Sequence, residues 1–285
     1  MANLTSFTLG YIPSEEISIR QLLDFFEEAP RLQRVELNSA TPTSGAQGGR
    51  LVSLVSLKRM NIQGGGFCSL LLDHLLIPVG AKLAIRMDSV SPRFEGHLPR
   101  YLDNLRNLSN FTEINLKLGD FYLDTRFSGP NGRVSLSSVT SLVELTHPAF
   151  EYLAQVDTSK TERLEIHHGK PPSRDLPYRV LVRMKNLRAL TLSRCQNSHI
   201  FIHALHPDTG SSGDVTCPKL EELDIVLHNS REAFDIKTLI NVATARALGG
   251  AQFRTVRIVG GHDKLDPGDV LAQETRIARG MWSRG

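Results

Sequence analysis

Aromatic side chains are scarce in this chain. They make up 6% of its 285 residues, with a single Trp at position 282. The basic residues are scattered along the sequence, so the usual interleaving of cations and stacking rings on nucleic-acid binders is absent. A net charge of +3 creates no strong overall field. Cysteine is sparse and odd in number. Cys68, Cys195 and Cys217 lie far apart with no C-x-x-C pair, which leaves no readable zinc knuckle or disulfide framework. Reduced thiols imply an intracellular chain, in cytoplasm or nucleus. No apolar run approaches the roughly 20 residues of a membrane span. The opening "MANLTSFTLGYIPSEE" also lacks the basic and apolar regions of a signal peptide. Neither nucleic acid nor membrane is expected as a partner.

A recurring hexapeptide, apolar-x-x-apolar-x-apolar, is what the sequence does have. It appears at Leu4-Phe7-Leu9, Leu32-Val35-Leu37, Leu57-Met60-Ile62, Phe111-Ile114-Leu116, Leu187-Leu190-Leu192, Leu220-Leu223-Ile225 and Phe253-Val256-Ile258. Weaker copies begin at Gly80 (Leu83, Ile85) and Thr161 (Leu164, Ile166). Most intervals are 23 to 33 residues, and the one interval of 50 is about two repeats. The last four residues of each copy alternate with period two, the pattern of a short strand with one buried face. Such strands cannot stand alone, but stacked side by side they share a continuous core.

Between the strands lie helix-like runs at 17–30, 67–78, 98–108, 147–156 and 234–250, the first two stopping at Pro30 and Pro78 and the last on a Gly pair suited to a helix end. One strand plus one helix per repeat predicts an α/β leucine-rich-repeat-like solenoid: short parallel strands alternating with helices, curved, in a single irregular domain over 1–285 of about nine to ten repeats. "LGDFYLDTRFSGPNGRVSLSSV" (118–139) breaks the pattern and reads as two strands, Phe121–Phe127 and Arg133–Ser137, a β-hairpin inserted at about 119–138. Residues 41–49 and 206–218 are rich in Gly, Ser, Thr and Pro and read as flexible loops. A repeat that begins at Leu4 without a polar cap suggests that the chain continues a longer architecture or is the tail of a truncated one.

"LLDFFEEAPRLQRVELNSA" (22–40), "FSGPNGRVSL" (127–136) and "CPKLEELDIVL" (217–227) resemble the C-terminal leucine-rich-repeat-like region of fungal F-box-like proteins, over nearly the whole chain. The resemblance implies a substrate-receiving region of a ubiquitin ligase, with the F-box docking on a Skp1-type adaptor. No F-box is found. "IPSEEI" (12–17) echoes the Leu-Pro-x-Glu opening of one but leads straight into a repeat helix. An adaptor is therefore expected only if an F-box lies upstream.

No catalytic pattern competes with this reading. Gly64, Gly65 and Gly66 sit between a strand and a helix, where a phosphate cradle would be, but no Lys follows and GxGxxG is incomplete. Small residues recur three positions after the last apolar residue (Ala40, Gly65, Gly119, Gly169, Cys195, Gly261), so the repeat itself accounts for Gly65. His199 and His203 have i, i+4 spacing without the Glu of HExxH, Glu27–Glu28 and Glu221–Glu222 are sequence neighbours rather than catalytic couples, and GxSxG is absent. The expectation is a non-enzymatic protein-binding module with no cofactor and no metal, binding a protein target through outward strand residues. These are Arg34, Glu36, Arg59, Asn61, Glu113, Asn115, Lys117, Arg163, Glu165, His167, Glu222, Asp224 and Arg257. The alternatives are a free-standing repeat scaffold unrelated to ubiquitin, or an α/β enzyme holding a phosphate ligand at 64–66.

Overall fold

A computed structural model describes residues 1, 3–10, 17–38, 49–64, 67–88, 111–119, 122–130, 132–139, 150, 153–154, 156–168, 173, 175–207, 215–227 and 234–260. The fold is α/β with mostly parallel strands, in two compact units, Met1–Thr158 and Ser159–Gly285. The helix-like run at 98–108, the small residues at 40, 65, 169 and 261, nearly all of 41–49 and six residues of 147–156 lie outside the described residues, as does the centre of 206–218.

In the first unit the sheet runs β1-β2-β4-β6-β9-β8-β7. These strands are β1 Ser6–Leu9, β2 Arg34–Asn38, β4 Arg59–Gln63, β6 Lys82–Asp88, β7 Glu113–Gly119, β8 Tyr122–Gly129 and β9 Gly132–Val139. A separate pair joins β3 Val52–Ser53 to β5 Leu75–Leu76. In the second unit β10 Arg163–His167, β11 Ala189–Ser193, β12 Glu222–Val226 and β13 Thr255–Val259 are all parallel. Every hexapeptide copy, strong or weak, has become a strand.

The same local chemistry builds each rung. The first apolar residue of the hexapeptide closes a tight turn: Leu32 N–H donates to the Ala29 carbonyl, Leu57 to Leu54, Leu187 to Met184 and Leu220 to Cys217, at 2.9–3.1 Å. At five of these junctions one carbonyl of a rung then accepts two amides of the next. Thr5 O accepts from Gln33 and Arg34, and Gln33 O from Lys58 and Arg59. Glu162, Arg188 and Glu221 do the same in the second unit. The apolar pair of each strand then falls in register with its neighbours, Val35 and Leu37 beside Met60 and Ile62, then Leu83 and Ile85, all buried. Thr161 holds the position that Leu32, Leu57, Leu187 and Leu220 hold elsewhere, and is as buried as they are.

Helix α1 (Ile19–Glu28) starts at a capping box, Ser18 Oγ accepting from Gln21 N–H and Gln21 Oε1 from Ser18 N–H, and buries Ile19, Leu22, Leu23 and Phe26. The ring of Phe7 on β1 meets Phe25 at 4.3 Å between centroids. Helix α2 (Phe67–Leu72) is shorter than the apolar run to 78 suggests. It unwinds at Asp73–His74, and Leu75–Leu76 pair instead with Val52–Ser53, because the Val52 amide reaches the His74 carbonyl at 2.8 Å. Helix α3 (Asp175–Leu181) carries Pro177 in its first turn, where its missing N–H costs nothing. Helices α4 (Ser198–His203) and α5 (Ile236–Leu248) pack on each other. The Gly pair ends α5 as the sequence suggests, with Gly250 at φ +76°.

The hairpin sits inside the sheet rather than beside it. β8 is antiparallel to both β7 and β9, and β9 pairs parallel with β6, so the hairpin strands are rungs between β6 and β7. Gly132 makes the entry possible: a Cβ there would lie 2.6 Å from the Val79 carbonyl oxygen.

Arg246 on α5 is fully buried. Its Nη1 donates to Thr216 O (2.6 Å) and Leu205 O (3.4 Å), its Nη2 to Cys217 O (2.8 Å), and its Cζ lies 4.9 Å from the Phe253 ring centre. Cys217 has φ +47° and its Sγ donates to Leu181 O at 3.1 Å. Burial pushes this thiol up to about 12 from an ordinary 9.0, against the opposing charges of Arg246 and Lys185. Above pH 9 the unfolded chain releases this proton while the folded chain keeps it. Stability therefore falls as pH rises from 9 toward 12, by up to about 1.4 kcal/mol per pH unit. Urea unfolding at pH 8 and pH 10 should show wild type losing about 1 kcal/mol more than Cys217→Ala. An equal loss in both would remove this thiol as the cause.

Candidate functional site: the open strand face

Alternation gives each sheet one apolar face and one open face, and the register arranges the open side chains in rows that cross the strands. In the first unit, the first row is Arg34, Arg59, Lys82, Arg133, Ser128 and Glu113. The middle row is Glu36, Asn61, Ala84, Ser135, Arg126 and Asn115, and the third is Asn38, Gln63, Arg86, Ser137, Asp124 and Lys117. Arg34, Arg59 and Glu113 are exposed, while Glu36, Asn61, Asn115 and Lys117 are half-buried. All seven candidates of this unit therefore lie on one face.

In the second unit the rows are Arg163, Ala189, Glu222, Thr255; then Glu165, Thr191, Asp224, Arg257; then His167, Ser193, Val226, Val259. The six candidates here again share a face. Arg257 Nε sits 3.2 Å from Asp224 Oδ1, and His167 Nε2 3.5 Å from Glu165 Oε2. Carboxylates and basic side chains are mixed on this face, and these two contacts bring opposite types together.

The first unit differs. A concave cleft of about 620 Å³ opens over β4, β6, β9 and β8. Arg59, Lys82, Arg86, Arg126 and Arg133 line it, with Asn61, Ala84 and Ser135 along its floor and Ser137 beside Arg86. The one carboxylate among its described lining residues, Asp124, pairs with Arg126 at 2.8 Å. Of the cations, only Arg59 was singled out by sequence. Lys82 and Arg86 flank the buried Leu83 and Ile85 of a weak copy, and Arg126 and Arg133 lie on the hairpin. The same alternation rule applied to those strands identifies all four.

Gly64 follows β4 as His168 and Arg194 follow β10 and β11. All three N–H groups are taken by the next strand, Gly64 by Arg86 O, His168 by Ser193 O and Arg194 by Val226 O. His168 and Arg194 do so at φ near +55°. Gly64 is thus a ladder residue whose donor is already used, and its carbonyl accepts from Cys68 Sγ. Gly65 and Gly66 lie outside the described residues. In the small-residue column, Cys195 is buried and its Sγ donates to Ile166 O at 3.3 Å. Glu27 is bound by Arg50, which also reaches Asp24 at 2.6 Å. His199 and His203 are exposed on α4. Among the described residues no cluster of His, Cys, Asp or Glu is placed to hold a metal, and no helix is long and apolar enough to cross a membrane.

Fold and face together define the class: an α/β chain whose mostly parallel sheets carry an apolar surface and an open, charged one. No family model, curated protein or solved structure matches it.

Proposed function

We propose that this chain is a non-enzymatic protein-binding module, a leucine-rich-repeat-like solenoid that receives a target on its open strand face. The observation that carries the reading is the register, which brings all thirteen sequence-chosen residues to open-face rows, seven in one unit and six in the other. The repeated turn and the carbonyl shared by two amides support a repeat architecture. Side chains in fixed rows offer a preorganised surface on which a few anchors supply affinity and charges set specificity. The resemblance to F-box-like proteins makes the target a ligase substrate inside the cell.

Photo-crosslinking tests this directly. A crosslinking residue at Asn61 or Thr191 should capture a defined protein that rebinds when purified, whereas one at Arg20 or Lys237, on the helices, should not. Capture from both sets alike, or from neither, overturns the reading. If the partner is bound but its cellular half-life is unchanged by deletion of this chain's gene, the module is a free-standing scaffold. A nucleotide panel that shifts Tm would instead favour the phosphate-binding alternative at 64–66.

A further inference from the structure

The first row of the first unit sets Arg34, Arg59, Lys82 and Arg133 directly beside one another on four neighbouring parallel strands. Adjacent strands lie about 4.8 Å apart, and like charges placed opposite destabilise a sheet. None of these four side chains has an ion pair among the described residues. Among the described residues the cleft lining holds five cations against one carboxylate, a surplus larger than the +3 that the whole chain carries net. Cations scattered through the sequence thus converge by register alone.

The floor of the cleft is low. Ala84 is its centre, between Asn61 and Ser135. Arg59, Lys82 and Arg133 form one wall. Arg86 stands on the other, two residues beyond Ala84 on the same strand, and Arg126 closes the end of the floor beside Ser135. First and third rows are four residues apart along each strand, about 13 Å. An extended chain lying over Ala84 would send successive side chains to opposite walls. The amide and hydroxyls of Asn61, Ser135 and Ser137 would face its backbone.

We propose that this cleft binds an extended acidic segment, a run of consecutive Asp and Glu residues, on a partner protein. The inference rests on the protein-binding reading and deepens it. Charge selects an anion, and the width admits a peptide. Among the described residues the lining contains no aromatic ring on which bases could stack, which favours an acidic peptide over a single-stranded nucleic acid.

The test is fluorescence anisotropy with a labelled dodecapeptide of alternating Asp and Glu, against a Gln/Ser peptide and an oligo(dT) of equal charge. The acidic peptide should bind the full chain, weaken at least about tenfold between 50 and 300 mM salt, and raise Tm. R59Q/K82Q/R133Q should weaken binding about tenfold or more, while R20Q/K185Q/K237Q, with the same loss of charge on other surfaces, should change it less than about twofold. Far-UV circular dichroism and Tm of the triple variant should show an intact and slightly more heat-stable fold, since repulsion has been removed. Absence of binding, equal binding by both triple variants, or tighter binding of oligo(dT) overturns the proposal. A partner still crosslinked through Asn61 despite no peptide binding would sink only the acidic segment. Peptide binding without any open-face partner would sink the module reading instead.

Discussion

Arg246→Ala should cost about 3–5 kcal/mol of folding stability, from the cavity it leaves and the acceptors it unpairs, read by urea unfolding with the second unit affected first. The guanidinium spans three backbone carbonyls, Leu205 on one side of residues 208–214 and Thr216 and Cys217 on the other. Burial lowers its pKa, and it has no carboxylate partner among the described residues, so carbonyl dipoles and the Phe253 ring carry the charge. Removing it strands the Leu205 and Thr216 carbonyls, leaves Cys217 O with the Leu220 amide alone, and releases the turn at Cys217, whose φ of +47° is a conformation side chains seldom adopt unaided. Arg246→Met separates volume from polarity. If the unpaired carbonyls dominate, Met should recover less than half of the loss, and full recovery would show that only the cavity mattered. Hydrogen exchange should accelerate at Leu220, whose amide donates to Cys217 O.

Phe127→Ala should be of similar size, about 3–5 kcal/mol, and felt in the first unit. Phe127 is fully buried at the middle of β8, flanked in register by Ile114 and Val134, with the Phe111 ring 5.2 Å away. β8 is the strand through which β7 and β9 are joined, so a cavity here loosens both pairings. The cleft should loosen with it, because β9 carries Arg133 and β8 carries Arg126. An exposed neighbour, Arg126→Ala, serves as the comparison and should change the unfolding free energy by less than about 0.5 kcal/mol. Equal effects from the two would mean that β8 is not packed as described.

Much of the ladder was legible because a strand with one buried face writes itself in period two. Leu164–Ile166 and Leu83–Ile85 were readable even where the first hexapeptide position was Thr161 or Gly80. Pairing was not legible. Alternation says that residues 122–129 and 132–139 are strands, but not that β9 chooses β6 as its neighbour, because that choice is made by residues about fifty positions away. The basic cleft was hidden for the same reason: Arg59, Lys82 and Arg133 become adjacent only once β9 is placed. The β3–β5 pair was too short to leave a pattern. Arg246 looked like one more charged residue on a helix, since nothing local distinguishes a buried guanidinium from a solvated one. The strand-exit role of Gly64 emerged only beside His168 and Arg194, which do the same work without being glycine.

The order β6-β9-β8-β7 also bears on synthesis. Lys82 pairs with Arg133, 51 residues later, whereas Arg59 pairs with Lys82 after only 23. A ribosome adding about 5–20 residues per second would leave the β6 edge waiting roughly 3–10 seconds for its second neighbour. An unfilled edge carrying Leu83 and Ile85 is a template for another nascent chain on the same message. Lys82 and Arg86 flank those residues, and two such edges approaching each other would meet charge against like charge. Lys82 and Arg86, two of the cations that line the cleft in the finished protein, are thus placed as gatekeeper residues would be on that waiting edge.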